Sequence, residues 1–152
     1  HGVIKMSEFS KLYKKMATTA HKIQMGRFLI RGDDRAECVR RENCADQDLC
    51  EWKLIKGLSE DEKAEQVRAY VWIPAHVDLR DVFFGNRRVR DSEKLEAQEF
   101  ENWQERNPEI KEKVNKKLPP GDGENALTLL YVMEGIAGKT WDWDNQCWVK
   151  MM

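Results

Sequence analysis

The first regular pattern along the chain is a predicted amphipathic helix over residues 7–25. At 100° per residue, its apolar side chains fall on one side: Phe9, Leu12, Tyr13, Met16, Ala20 and Ile23. Its lysines fall on the opposite side: Lys11, Lys14, Lys15 and Lys22. We therefore expect this helix to pack on the core and to present a row of lysines to a partner.

Capping and helix-breaking residues divide the middle of the chain into further short helices. Ser59 and Glu62 have the spacing of a capping box, which marks the start of one of them. Glycines and prolines mark the ends of most of the others. The predicted helices cover residues 35–42, 48–56, 60–72, 75–85, 92–106 and 108–118.

The last third of the chain contains the most apolar segment. Residues 126–138 are apolar nearly all round, which fits either a buried helix or a buried strand. The surrounding predicted helices favour a helix. In the tail that follows, Trp141 and Trp143 have strand spacing and Trp148 comes next, so we expect a short hairpin or an extended segment there.

These elements predict an all-α fold, a single compact domain over residues 1–152. The domain would have about six or seven short helices around residues 126–137, with a small extended element at the C-terminus as an addition. We interpret residues 1–6 as a tag remnant or a disordered start, because Met6 and Ser7 would make a natural beginning.

Length and composition support one globular domain. The chain has 152 residues, of which 41% are hydrophobic and 35% charged, a balance typical of a folded domain with its own core. No apolar run approaches the roughly 18 residues of a membrane span, and no leader resembles a signal peptide. We therefore expect no membrane contact and a cytoplasmic, reducing location.

The charge is unevenly distributed although the net charge is only −1. Seven basic residues and one acidic residue lie between positions 5 and 31. Such an asymmetry permits contact with an anionic partner. The alternative is that the basic end packs near the acidic helices of its own C-terminal half, and the sequence leaves both interpretations open.

Three groups of residues are candidates for partner binding. The first is the lysine row of the N-terminal helix. The second is a basic patch of Arg87, Arg88 and Arg90. The third is the tail with Trp141, Trp143 and Trp148, since a short terminal segment cannot easily bury three indoles alone, although a groove on the helical body would bury them as well. The main hypothesis is a non-enzymatic binding protein, a small accessory or regulatory factor with a protein partner.

Nucleic-acid binding is the second hypothesis. Arginine side chains suit phosphate oxygens and aromatic rings suit bases, and the arginines between residues 27 and 41 supply the first of these. The isoelectric point of 6.4 is well below the value above about 9 that is typical of dedicated nucleic-acid domains. Acidic neighbours also offer each arginine run an ion pair.

A metal-dependent enzyme is the third hypothesis. Cys38, Cys44 and Cys50 are six residues apart, unlike the closely paired ligands of most zinc sites, so with Cys147 they are free thiols, disulfides or metal ligands. The carboxylate pairs Asp33–Asp34 and Asp142/Asp144 offer oxygen ligands that suit Mg²⁺ or Mn²⁺. Three histidines and no nucleophile or phosphate-loop motif give no catalytic residue, and we predict no cofactor.

Overall fold

The protein is a mixed α/β domain rather than an all-α one. The computed structural model describes residues 3–5, 9–44, 49–87 and 93–152. Its helices are α1 (Lys11–Thr18), α2 (His21–Gly26), α3 (Glu60–Ala69), α4 (His76–Arg87), α5 (Glu93–Arg106), α6 (Pro108–Lys117) and α7 (Gly123–Ala137). Its strands are β1 (Val3–Lys5), β2 (Arg35–Arg40), β3 (Leu49–Leu54), β4 (Tyr70–Trp72), β5 (Lys139–Asp142) and β6 (Cys147–Lys150). Within these ranges no helix has the length and apolar character needed to cross a membrane.

The larger sheet overturns the all-α prediction. Its strands lie in the order β1-β3-β2-β4, with every neighbouring pair antiparallel. The helices predicted over 35–42 and 48–56 are strands β2 and β3, so those predictions are wrong. In β3, apolar and charged residues alternate with the strand period of two from Cys50 to Leu54, whereas Leu49, Trp52 and Ile55 recur every three residues as on a helix. Pairing with neighbouring strands decides between the two.

The helix predicted over 60–72 is correct at its start and wrong at its end. Ser59 and Glu62 form the predicted capping box, each side chain bonded to the other residue's backbone N–H. The helix ends at Ala69, and Tyr70–Trp72 continue as β4 beside β2. Aromatic and β-branched residues fit a pleated surface well, which favours a strand once a sheet edge is within reach.

The N-terminal helix is divided into α1 and α2 by Thr19 and Ala20. Ser10 caps α1 by accepting a hydrogen bond from the backbone N–H of Tyr13. At its other end, the Thr19 hydroxyl donates to the carbonyl of Lys15 at 2.6 Å. The break changes the helix direction, so one continuous lysine face cannot run from residue 11 to residue 22.

Helix α7 is the centre of the domain, as predicted for residues 126–138. Every side chain from Ala126 to Met133 is buried, and α4 packs along it. The contact is close because Gly135 has no side chain: a Cβ atom there would stand 2.7 Å from the Phe83 ring. The predicted C-terminal hairpin is also confirmed, with Trp141 opposite Trp148 in the β5–β6 pair.

Two buried side chains close the outer edge of β4. The amide oxygen of Gln24 accepts from the backbone N–H of Trp72 at 2.8 Å, and its amide nitrogen donates to the Trp72 carbonyl at 2.7 Å. Arg27 donates to the carbonyl of Tyr70 at 3.1 Å and to the Gln24 amide oxygen at 2.6 Å. Gln24 is 1% exposed and Arg27 is 0% exposed. Together they satisfy backbone groups that a further strand would otherwise have to pair.

This arrangement predicts that Gln24→Leu destabilises the protein strongly. The substitution keeps the approximate volume but leaves the N–H and C=O of Trp72 without their partners. At about 1–3 kcal/mol for each buried unsatisfied group, we expect a loss of roughly 3–5 kcal/mol in the free energy of unfolding, measured with urea. The exposed Gln98→Leu on α5 is the matched control and should change it by less than about 0.5 kcal/mol. A loss below about 1 kcal/mol for Gln24→Leu would contradict this account of the edge.

Candidate functional site

The C-terminal hairpin lies against α1 and forms one surface with it. The indole nitrogen of Trp148 donates to the carbonyl of Met16 at 2.8 Å. The ammonium of Lys15 donates to the Gln146 side-chain oxygen at 3.2 Å. The structure thus brings together two segments that the sequence singled out separately. We call this the lysine–hairpin surface and define it by Lys11, Lys15, Lys139, Gln146, Trp148 and Lys150.

The lysine–hairpin surface contains two pairs of neighbouring lysines. Lys139 stands directly opposite Lys150 in the β5–β6 register, and both side chains are exposed. Like charges in directly opposite positions on two strands repel each other. Lys11 and Lys15 are four residues apart on α1, where like charges also repel. Across residues 9–44, 49–87 and 93–152, no carboxylate is within ion-pair distance of these four lysines.

The other two lysines of the predicted row lie elsewhere. Lys14 is only 7% exposed, so it is not part of an exposed row. Burial raises the pKa of the neighbouring Cys44, and the positive charge of Lys14 is the largest influence that opposes this rise. Lys22 is exposed on α2, where it lines a separate groove with His21 and Lys63. The break after α1 accounts for this dispersal.

The tail tryptophans serve mainly to attach the hairpin to the body of the protein. Trp141 is 3% exposed, and its ring lies 5.1 Å from the ring of Trp148. Trp143 and Trp148 are half-buried against the core. Trp141 is therefore buried, whereas Trp143 and Trp148 keep part of their surface accessible. Of the predicted arginine patch, Arg87 ends α4 and its side chain is outside the described residues, as are Arg88 and Arg90 altogether.

Several arginines of the N-terminal half are engaged in structural contacts. Arg27 is buried, and Arg41 donates to the carbonyls of Val67 and Arg68 at the end of α3. Arg40 lies beside Glu51, and its guanidinium stands over the ring of Tyr70. These contacts occupy guanidinium groups that the nucleic-acid hypothesis requires for phosphates.

The cysteines and the aspartates of the C-terminal hairpin are not grouped as a metal site in the described part of the chain. All four cysteines are free thiols, and burial raises the pKa of Cys38 to about 11 against the opposing charge of Arg27. Asp142 accepts hydrogen bonds from the backbone of Asp144 and Asn145, which lowers the pKa of Asp142 and closes the hairpin turn. In the described ranges no three His, Cys, Asp or Glu side chains are grouped as metal ligands.

A cavity that sequence reasoning missed lies between the larger sheet and α4. It has a volume of about 210 Å³. Its polar lining consists of Asp33, Glu37, Asp78 and Arg35, and its aromatic lining of Phe9, Trp52 and Trp72. We call it the acidic–aromatic cavity. The three carboxylates come from the turn before β2, from β2 and from the first turn of α4, and the sequence singled out only Asp33 among them, as half of a possible metal-binding pair.

Asp78 is the carboxylate of the cavity lining whose pKa the fold raises. It accepts a hydrogen bond from the backbone N–H of Ala75 at 3.2 Å, at the N-terminus of α4. Burial raises the pKa of Asp78, and the charges of Asp81 and Asp33 raise it further, while the Ala75 hydrogen bond and the charge of His76 oppose the rise. The carboxylates at this position therefore repel one another when all are ionised.

The raised pKa of Asp78 predicts a pH-dependent contribution to stability. Above the ordinary Asp pKa of about 3.9, the folded state keeps a proton that the unfolded state has released, so Asp78 stabilises the fold less as pH rises through its folded pKa. Asp78→Asn keeps an oxygen for the Ala75 N–H and abolishes the titration. Relative to this variant, the wild type should lose unfolding free energy as pH increases from about 4 towards neutrality.

Urea unfolding of both proteins across this pH range measures the difference. The control is Asp144→Asn, which removes an exposed carboxylate of the hairpin turn and reports the effect of net charge alone. A difference between wild type and Asp78→Asn that stays constant with pH would contradict the burial-driven shift.

The geometry defines two distinct regions, the basic lysine–hairpin surface and the acidic–aromatic cavity. No family model, no curated protein and no solved structure matches this chain. Any function therefore has to be argued from the chemistry of these two regions.

Proposed function

We propose that this chain is a non-enzymatic binding protein that binds an acidic protein surface through the lysine–hairpin surface. The observation that carries the proposal is the set of four exposed lysines without a carboxylate partner in the described ranges, including Lys139 directly opposite Lys150. Like charges held close together cost free energy, and an anionic partner recovers that cost on binding.

A protein partner suits this surface better than a nucleic acid does. The exposed charges are lysines, while Arg27, Arg40 and Arg41 are occupied by contacts within the fold. The half-buried indole of Trp148, bonded to the carbonyl of Met16 on α1, adds an apolar edge beside the charges, a combination common at protein interfaces. We extend the proposal to a reducing, cytoplasmic location, which the buried free thiol of Cys38 supports.

The double variant Lys11→Glu/Lys15→Glu tests this proposal. The probe is a fluorescein-labelled peptide of alternating glutamate and leucine, and binding is followed by anisotropy at low salt. Because two attractive charges become repulsive, we expect affinity to fall by roughly tenfold or more. Lys15→Glu removes only an exposed hydrogen bond to Gln146, so the urea midpoint should be nearly unchanged.

The matched control is Arg68→Glu/Lys111→Glu, which makes the same change in net charge at exposed positions on α3 and α6. It should retain most of the wild-type affinity. Equal losses in both double variants would show that net charge alone drives binding and would contradict a defined surface. Tighter binding of a single-stranded oligonucleotide of matched charge, with a steep dependence on salt, would assign the surface to nucleic acid instead.

A further inference from the structure

The acidic–aromatic cavity is formed by residues that are far apart in the chain. Asp33 precedes β2, Glu37 lies on β2, Trp52 lies on β3, and Asp78 lies in the first turn of α4. Its volume of about 210 Å³ is smaller than the roughly 300–1,000 Å³ of sites for drug-sized molecules. The cavity therefore suits a group of side-chain size.

The walls combine an exposed indole with a carboxylate. Trp52 is 36% exposed, unusually high for a tryptophan, and it stands directly opposite Glu37 in the β2–β3 register. Guanidinium groups stack on aromatic faces and form paired hydrogen bonds with carboxylates. Ile30 and Ile73 are buried side chains that line the same cavity and offer apolar contact to a methylene chain.

The charge of the cavity determines the sign of its occupant. Three carboxylates and one guanidinium, that of Arg35, line it, so acidic groups outnumber basic ones in the lining. The negative charge of Asp33 acts on the Asp78 carboxyl, and so does the charge of Asp81, which lies nearby but outside the lining. A cation in this position would relieve the repulsion among them.

We propose that the acidic–aromatic cavity binds the guanidinium group of an arginine side chain presented by a partner polypeptide. The guanidinium stacks on the exposed face of Trp52 and donates to the surrounding carboxylates. The aliphatic part of the arginine contacts Ile30 and Ile73. This site is separate from the lysine–hairpin surface and does not depend on the function proposed for that surface.

The test compares two ligands of the same shape and different charge. N-acetyl-arginine methylamide carries the cation, and N-acetyl-citrulline methylamide replaces the guanidinium with a neutral urea group. Binding is followed by the amide NMR signals of Glu37, Trp52 and Asp78. We expect these signals to shift with the arginine ligand and the citrulline ligand to bind at least tenfold more weakly, because it lacks the charge. The lysine analogue should also bind more weakly, since an ammonium cannot form the paired contact.

Two variants locate the site. Trp52→Leu removes the stacking surface, and Asp33→Asn/Asp78→Asn removes two of the three charges, so each should abolish detectable arginine binding. Arg35→Gln removes the competing cation and should tighten binding. Urea unfolding identifies any variant that is not folded, and Trp52 is exposed enough for its replacement to leave the core in place.

Control variants separate this proposal from the preceding one. Asp144→Asn and the single variant Lys15→Glu alter exposed charges outside the cavity lining and should leave arginine binding nearly unchanged. Equal binding of arginine and citrulline, binding that survives both cavity variants, or no binding of the arginine ligand at its solubility limit would each overturn the proposal.

Discussion

The closed outer edge of β4 is the constraint on which the rest of the structure depends. Gln24 pairs with both backbone groups of Trp72 as a neighbouring strand would, and this fixes α2 against the sheet. Tyr13 strengthens the attachment from α1, because its hydroxyl donates to the carbonyl of Pro74 at 2.6 Å. The lysines of α1 and the Trp72–Ala75 side of the cavity are therefore positioned by the same few hydrogen bonds. Without these partners the strand would carry unpaired buried backbone groups, which proteins rarely tolerate.

Burying Arg27 costs free energy, but only a guanidinium has the shape to make the hydrogen bonds observed here. Burial lowers the pKa of Arg27, because the charged form loses its hydration. Its donors are met by neutral acceptors: the carbonyls of Gln24 and Tyr70 and the side-chain oxygens of Gln24 and Gln66. A planar group with five donors can reach α2, α3 and β4 at once. Lysine, with a single compact ammonium, cannot make this set of contacts.

Local patterns in the sequence predicted the elements that local interactions determine. The capping box at Ser59 and the C-terminal hairpin were predicted from residues close in the chain. The pattern of residues 126–138 fitted a helix or a strand, and only the predicted neighbouring helices favoured the helix that the structure shows as α7. Strands β2 and β3 were not predicted, because their short apolar runs fit two periods and the choice depends on pairing across the sheet. The same reason explains the candidate sites. Lys11 and Lys15 were found on one helix, whereas the cavity carboxylates meet only after the sheet and α4 have packed together.

A net charge of −1 conceals a separation of charge that the fold produces. Phe9, just before α1, lines the acidic–aromatic cavity, while Lys11 and Lys15 on α1 belong to the basic surface. Between Phe9 and the lysines, the backbone N–H of Ser10 donates to the buried carboxylate of Asp122 at 3.0 Å. This hydrogen bond holds the N-terminus of α1 against the N-terminus of α7. The fold thus holds regions of opposite sign on one short, firmly attached segment. Oppositely charged regions that are held apart by rigid structure cannot neutralise each other, so each remains available to a partner of complementary charge.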